Sequence, residues 1–337
     1  MKTVCRIACL ILLLNFFLSA EKILTIDEPF KIPVLQKVDD ENVYILDRPE
    51  VKLHVYSIKN PSDQFTMCKR GDGPGEFRYI TNFSIWKEQY VVSGNEKLIY
   101  FDKNGRLLKE KRVPYAHSSI IPLENMFLCR IFENFPGQTI ISTTLYESDF
   151  SSPKKLDEFI VDQPYRGKNR KINNYFCRDY IGYSVMNQSI IVGNTQKGFY
   201  FCVYDKRGKK LYDITKEYKK IPLTEDQKKA QLGLWKNEFG QAWYRELMAS
   251  KNLVFPEYFP AYESFVAQEN KIFVRLHPII DHSQELIILD MKGKEISRHK
   301  VPIAGLLSRI CIRNSRYYYL RDNPDQETWE LHAAKLK

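Results

Sequence analysis

His277, Asp281 and His282 fall in one short stretch after an apolar run, and two imidazoles with a carboxylate are zinc-binding donor types. No second ligand pair of defined spacing accompanies them, so the reading is loop histidines beside a cavity, with no metal. Gly71, Gly73 and Gly75 are interleaved with Arg70, Asp72, Glu76 and Arg78. A glycine cluster can wrap a phosphate, but such loops run on into Gly-Lys-Ser/Thr and a helix, and neither follows. Pro74-Gly75 instead fits the two central positions of a type II turn, with Phe77 beside it as an apolar plug. The four charged residues are then candidate ligand contacts on a rim, second to the structural turn. Arg275, ending the apolar run just before His277, completes the candidate binding set. No Gly-x-Ser-x-Gly elbow and no His-Glu-x-x-His pair occurs, so no catalytic residue and no cofactor is predicted.

The elements that must position these residues are legible in composition and pattern. Of 337 residues, 44% are hydrophobic and only 15 are Gly and 16 Pro, which excludes collagen-like and disordered chains. Lys and Arg outnumber Asp and Glu by 51 to 41, but in scattered small clusters. A nucleic-acid footprint needs them on one face, so a solvated basic surface and no nucleic-acid partner are expected. Residues 1–20 read as a secretory signal peptide: Lys2 and Arg6, an apolar run from Ile7 to Leu18, then Ser19-Ala20 before Glu21. The expected compartment is secreted or periplasmic, with no membrane span after cleavage. Cys68, Cys129, Cys177, Cys202 and Cys311 then remain, an odd set without CxxC spacing, and buried core thiols are expected.

Short runs rich in β-branched and aromatic residues recur along residues 21–337, some alternating as in Val51-Lys-Leu-His-Val-Tyr-Ser-Ile58. A strand, Asp-x-x-Gly, strand unit appears three times, at Asp102 to Gly105, Asp205 to Gly208 and Asp290 to Gly293. The first interval suits two four-stranded units and the second suits one unit plus an insertion. That insertion is helical, about 224–250, opened by a Thr224/Gln227 capping box and weakened by Gly233 and Gly240. Trp235, Phe239 and Trp243 share one helical face with Leu232 and Leu247. Packing on the protein's own rim is the first reading of that face, and a partner-binding surface the second. Four strands per unit give Val34–Cys68, Ile80–Val113, His117–Val161, Asn173–Ile214 and Tyr262–Val301. The stretch from Ile303 to Lys337 supplies only three strands, and Ile23 to Ile26 supplies the fourth, closing a ring. The fold class is therefore all-β, a six-bladed β-propeller with one helical insertion.

Arg70-Gly-Asp-Gly-Pro-Gly-Glu-Phe77 resembles the Gly-x-Gly-Pro-Gly-Glu-Phe signature that follows the first blade in exported bacterial six-bladed propellers of the TolB-like and NHL-like type. Phe255-Pro-Glu-Tyr-Phe-Pro260-Ala-Tyr, followed by Asn270-Lys-Ile-Phe-Val-Arg275, is similar to their Pro-x-x-x-Pro lead-in to a late blade. Weaker repeat similarity covers most of residues 30–337; the helical insertion and an irregular third blade depart from simpler members. The resemblance implies fold more strongly than function. The leading expectation is a non-enzymatic binding or scaffold module that holds a partner protein or glycan-like ligand through its loops and channel. The alternative is a propeller hydrolase or lyase, with His277, Asp281 and His282 meeting carboxylates at the channel mouth.

Overall fold

The computed structural model describes residues 20–114, 119–136, 138–162, 172–173, 179–249, 253–279, 283–303 and 309–336. Six four-stranded antiparallel sheets form the blades of a propeller. Blade 1 comprises Pro33–Val38, Asn42–Asp47, Lys52–Ser57 and Gln64–Met67. Blade 2 runs from Asn82–Trp86 to Leu107–Arg112, and blade 3 from Ser119–Leu123 to Lys154–Asp162. Blade 4 spans Ile181–Met186 to Lys210–Lys216, and blade 5 Ser264–Gln268 to Glu295–Pro302. Blade 6 takes Cys311–Arg313, Arg316–Asn323 and Thr328–Lys335 from the end of the chain and Ala20–Ile26 from its beginning.

Burial explains the strand sequences. Middle strands pack on both faces, so they read as unbroken apolar runs, as in Leu286-Ile-Ile-Leu289, all buried. Outermost strands show one face to water, and Glu295–Pro302 alternates half-buried with exposed over most of its length. Among the described residues, the core between blades is accordingly divided into six clusters, one between each pair of neighbours. Between blades 6 and 1, for example, Leu24, Ile26, Leu320 and Leu331 meet Leu35, Val43 and Ile45.

The closing strand pairs antiparallel with the last strand, from Ala20 opposite Ala334 to Ile26 opposite Trp329. Glu330 gathers Lys22 (3.4 Å), Asn323 (3.1 Å) and His332 (2.8 Å) at this seam. These bonds, that of His332 foremost, hold its carboxyl down to about 2. The Asp-x-x-Gly hairpins are alike in all three copies. Asp205 Oδ1 accepts from the Arg207 and Lys209 amides at 2.9 and 2.8 Å, and Gly208 turns at φ +71°. A Cβ on Gly208 would lie 2.7 Å from Leu145 of blade 3, so the turn also presses against the neighbouring blade.

Two expectations need correction. Blade 4 starts at Ile181, not Asn173, because Ile172–Asn173 pairs in parallel with Leu253–Val254 at the far end of the insertion. Blade 3 is a regular sheet with a long central hairpin, Met126–Phe135 and Gln138–Glu147, and one register shift at Thr143/Thr144. The insertion is two helices, α1 (Glu225–Phe239) and α2 (Gln241–Ala249), broken at Gly240 and continuous through Gly233. Its capping box forms as read, with the Gln227 amide donating to Thr224 Oγ1 and the Thr224 amide to Gln227 Oε1. The signal peptide lies outside the described residues, apart from Ala20, and so does Cys177. Among the described residues no disulfide forms; Cys129, Cys202 and Cys311 are buried and Cys68 half-buried. Burial raises the thiol pKa of each.

Candidate ligand channel

In each sheet the innermost strand has a neighbour on one side only. Its other edge carries backbone N–H and C=O groups that have no partner strand, some of them met by side chains of neighbouring blades, as where the Ala267 amide donates to Ser184 Oγ at 2.9 Å. Six such edges surround a central channel of about 970 Å³, lined by innermost-strand residues of every blade. The strands run parallel to one another around it, so their first residues share one mouth. Thr81, Ser119, Tyr180, Glu263 and Arg309 stand at that mouth, while Asp39, Asn187, Glu269 and Arg313 stand at the other.

Charge at the first mouth is arranged in two ways. Arg275, 2% exposed, grips Glu263 with both arms of its guanidinium, at 2.5 and 3.1 Å. Burial alone would push the Glu263 carboxyl up, but Arg275 outweighs it and holds the carboxyl below the usual range. Arg309 has neutral partners: it donates to Asn82 Oδ1 at 3.3 Å and to the Thr81 carbonyl at 3.4 Å. Arg130, on the second strand of blade 3, donates to the Ile181 carbonyl at 3.5 Å, and its Nε is buried without a hydrogen-bond partner. Burial, and secondarily the Arg130 charge, lower the pKa of Arg309. Tyr183 lies beside both arginines and donates to the carbonyl and hydroxyl of Ser119 at 2.8 and 3.0 Å. Tyr180 sits within electrostatic reach of Arg130, Arg309, Arg275 and Glu263. It fits there because Gly182 has no Cβ: one would lie 1.9 Å from the Tyr180 hydroxyl. Asp179, the other carboxylate at this mouth, accepts from Thr195 Oγ1 at 3.0 Å.

Of the sequence candidates, Arg275 and His277 line the channel. His277 is 7% exposed, stacks on Phe259 at 4.9 Å, and leaves Nδ1 without a hydrogen-bond partner. Burial brings its pKa down to about 4. Asp281 and His282 lie outside the described residues. Among the described residues, no group of three His, Cys, Asp or Glu side chains comes together as a metal site would require.

Arg70, Asp72, Glu76 and Arg78 are placed elsewhere, on the crossover from blade 1 to blade 2. Gly73 to Glu76 is the type II turn, closed by the Glu76 amide on the Gly73 carbonyl at 3.1 Å, with Gly75 at φ +75°. Each charged residue there has a local partner: Arg70 the Pro49 carbonyl, Arg78 Asp72 at 2.7 and 3.0 Å, and Glu76 Lys69 at 2.9 Å. Those cations hold the Asp72 and Glu76 carboxyls below their usual range. Phe77 is fully buried between blades 1 and 2. In the insertion, Trp235 is 2% exposed, covered by the chain itself, while the Phe239 and Trp243 side chains lie outside the described residues. The base of the insertion, where Leu223 and Phe259 pack together, adjoins the channel through the Phe259–His277 stack.

A family model described as 6-bladed beta-propeller (DUF5128) matches residues 26–137, which span blades 1 and 2 and half of blade 3. Sheets and family model agree. The chain is a six-bladed β-propeller. Among solved structures it is similar to a Bacteroides fragilis NCTC 9343 protein classed as exported, at 14% identity and TM-score 0.52 over 95% of each chain. It is also similar to regucalcin, a calcium-binding protein from Agrobacterium tumefaciens C58, at 12% identity and TM-score 0.42 over 93% of this chain and 95% of that one. At these identities the likeness is one of fold alone, and calcium binding is said of regucalcin only. No curated protein sequence matches the chain.

Arg130, Arg309, Tyr180, Tyr183 and Glu263 are absent from the sequence candidates. Nothing in their local sequence marks them, but taking the residues just before each innermost strand finds Tyr180, Glu263 and Arg309. Arg130 then follows from its register opposite Ser119.

Proposed function

We propose that this propeller is an exported, non-enzymatic binding module that holds its ligand in the central channel. The observation that carries this reading is the channel itself: about 970 Å³ of space bounded by six polar strand edges, with charged groups at both mouths and three arginines at the first. Export rests on the leader pattern of residues 1–20, and kinship with TolB-like and NHL-like propellers on the two segments quoted above. The B. fragilis protein of the same fold is also classed as exported. No helix among the described residues is long and apolar enough to cross a membrane.

The test is hydrogen exchange on secreted protein, whose intact mass should begin at Glu21. A panel of small neutral, anionic and cationic solutes, including neutral oligosaccharides, is screened. A ligand should slow exchange in peptides covering the innermost strands, because their channel-facing amides lack sheet partners. Protection confined to outer strands or to the 70–78 crossover would overturn the channel reading.

A further inference from the structure

The first mouth carries three guanidinium groups, Arg130, Arg275 and Arg309, against two described carboxylates, Glu263 and Asp179. Glu263 is occupied by Arg275, and Asp179 accepts from Thr195. Neither Arg130 nor Arg309 forms an ion pair among the described residues. A guanidinium has five donors and stays charged in any protein setting. Among the described residues Arg309 directs donors to Asn82 and Thr81 only, and Arg130 directs one to Ile181. Arg130 Nε is buried with nothing to receive its proton. A buried donor left unmet is costly, and holding two such cations close together is more so. His277 adds an independent sign: it is nine-tenths buried, lines the same channel, and has an unmet Nδ1.

The network that holds these groups crosses four blades. Arg309 before blade 6 leans on Asn82 of blade 2, and Asn82 donates to the Ile120 carbonyl of blade 3 at 3.2 Å. Tyr183 of blade 4 donates to Ser119, the residue paired with Arg130. The arginines are thus fixed by backbone and neutral side chains, with forked donors left over. Resting on the channel reading above, we propose that Arg130 and Arg309, with Tyr180 and Tyr183 beside them, form an oxyanion seat for a carboxylate, phosphate or sulfate of the channel's ligand. Such groups accept in the plane of a guanidinium fork, and the low dielectric of a channel strengthens the bond. The partly satisfied arrangement then becomes a complete one on binding.

The experiment is thermal-shift and calorimetric titration of the full mature chain with sodium phosphate, sulfate and acetate, each against sodium chloride at equal ionic strength. At least one oxyanion should stabilise the protein beyond chloride, and which one does so separates phosphate, sulfate and carboxylate sources. Arg130→Gln and Arg309→Gln should each weaken its binding about tenfold or more, the usual loss of a charged hydrogen-bonding partner. Arg309→Lys keeps the charge without the fork, serves if the glutamine variant fails to fold, and should bind less tightly than wild type. Arg78→Gln, on the remote crossover, should bind like wild type. Oxyanions no better than chloride, or equal loss in Arg78→Gln, would overturn the seat. Hydrogen exchange with neutral oligosaccharide separates the two ideas. Channel-edge protection by it without any oxyanion effect rejects the seat alone, while no protection by any solute rejects the channel reading too.

Discussion

His277 shows what burial does to a group that would otherwise titrate near neutrality. Its ring is packed on Phe259 and almost sealed from water, so the neutral form is the one the fold accepts. In the unfolded chain it takes up a proton around its ordinary 6.5, whereas in the folded chain it resists until about 4. Between those values the unfolded state binds more protons, so stability falls as pH falls. From pH 8 to pH 5 the loss through this one residue is about 2 kcal/mol. His277→Gln should remove that component, and urea unfolding of both proteins at the two pH values measures it. Parallel losses in wild type and variant would show that His277 is not the titrating group. Glu330 works in the same sense at lower pH: its depressed carboxyl adds stability above about 4.5 that disappears as pH falls toward 2.

At the scale of the element, turn and cap chemistry were readable because they are local. Asp and Gly at fixed spacing dictate the hairpins, Pro74-Gly75 dictates a type II turn, and Thr224 with Gln227 starts a helix; each forms as read. The start of blade 4 was not readable, because Ile172–Asn173 has strand character and its partner, Leu253–Val254, lies across the whole insertion. The channel arginines were hidden for the same reason. Arg309 and Asn82 are 227 residues apart, and only the closed ring makes them neighbours. For the insertion, burial of Trp235 within the chain favours a brace over an exposed partner surface, since an anchor for a partner must be open before the partner arrives. Trp235→Ala should then destabilise the protein by roughly 3–5 kcal/mol. Denaturant unfolding with unchanged stability would return the helix to the partner-surface reading.

At the scale of the whole molecule, stability is spread over six similar interfaces, and the one between blades 6 and 1 depends on a strand supplied from the other end of the chain. Removing residues 21–28 takes away Leu24 and Ile26, both buried, together with the ladder to Thr328–Lys335. The loss should be about 3–6 kcal/mol from the two side chains alone. An exposed edge on the last strand should also drive self-association. Light scattering and thermal unfolding of the truncated protein check both effects; a monodisperse protein with an unchanged midpoint would show that closure is dispensable.

The pairing of Ala20–Ile26 with Thr328–Lys335 also makes closure of the ring depend on synthesis of the last strand. A chain that stops before Thr328 can build five complete blades, yet its first strand finds no partner and its ring stays open. Such a product is incomplete by only a small fraction of its length, but it bears unpaired edges of the kind that proteases and chaperones engage. Only a chain that includes Thr328–Lys335 hides them. The seam therefore forms only once both of its strands, Ala20–Ile26 and Thr328–Lys335, are present.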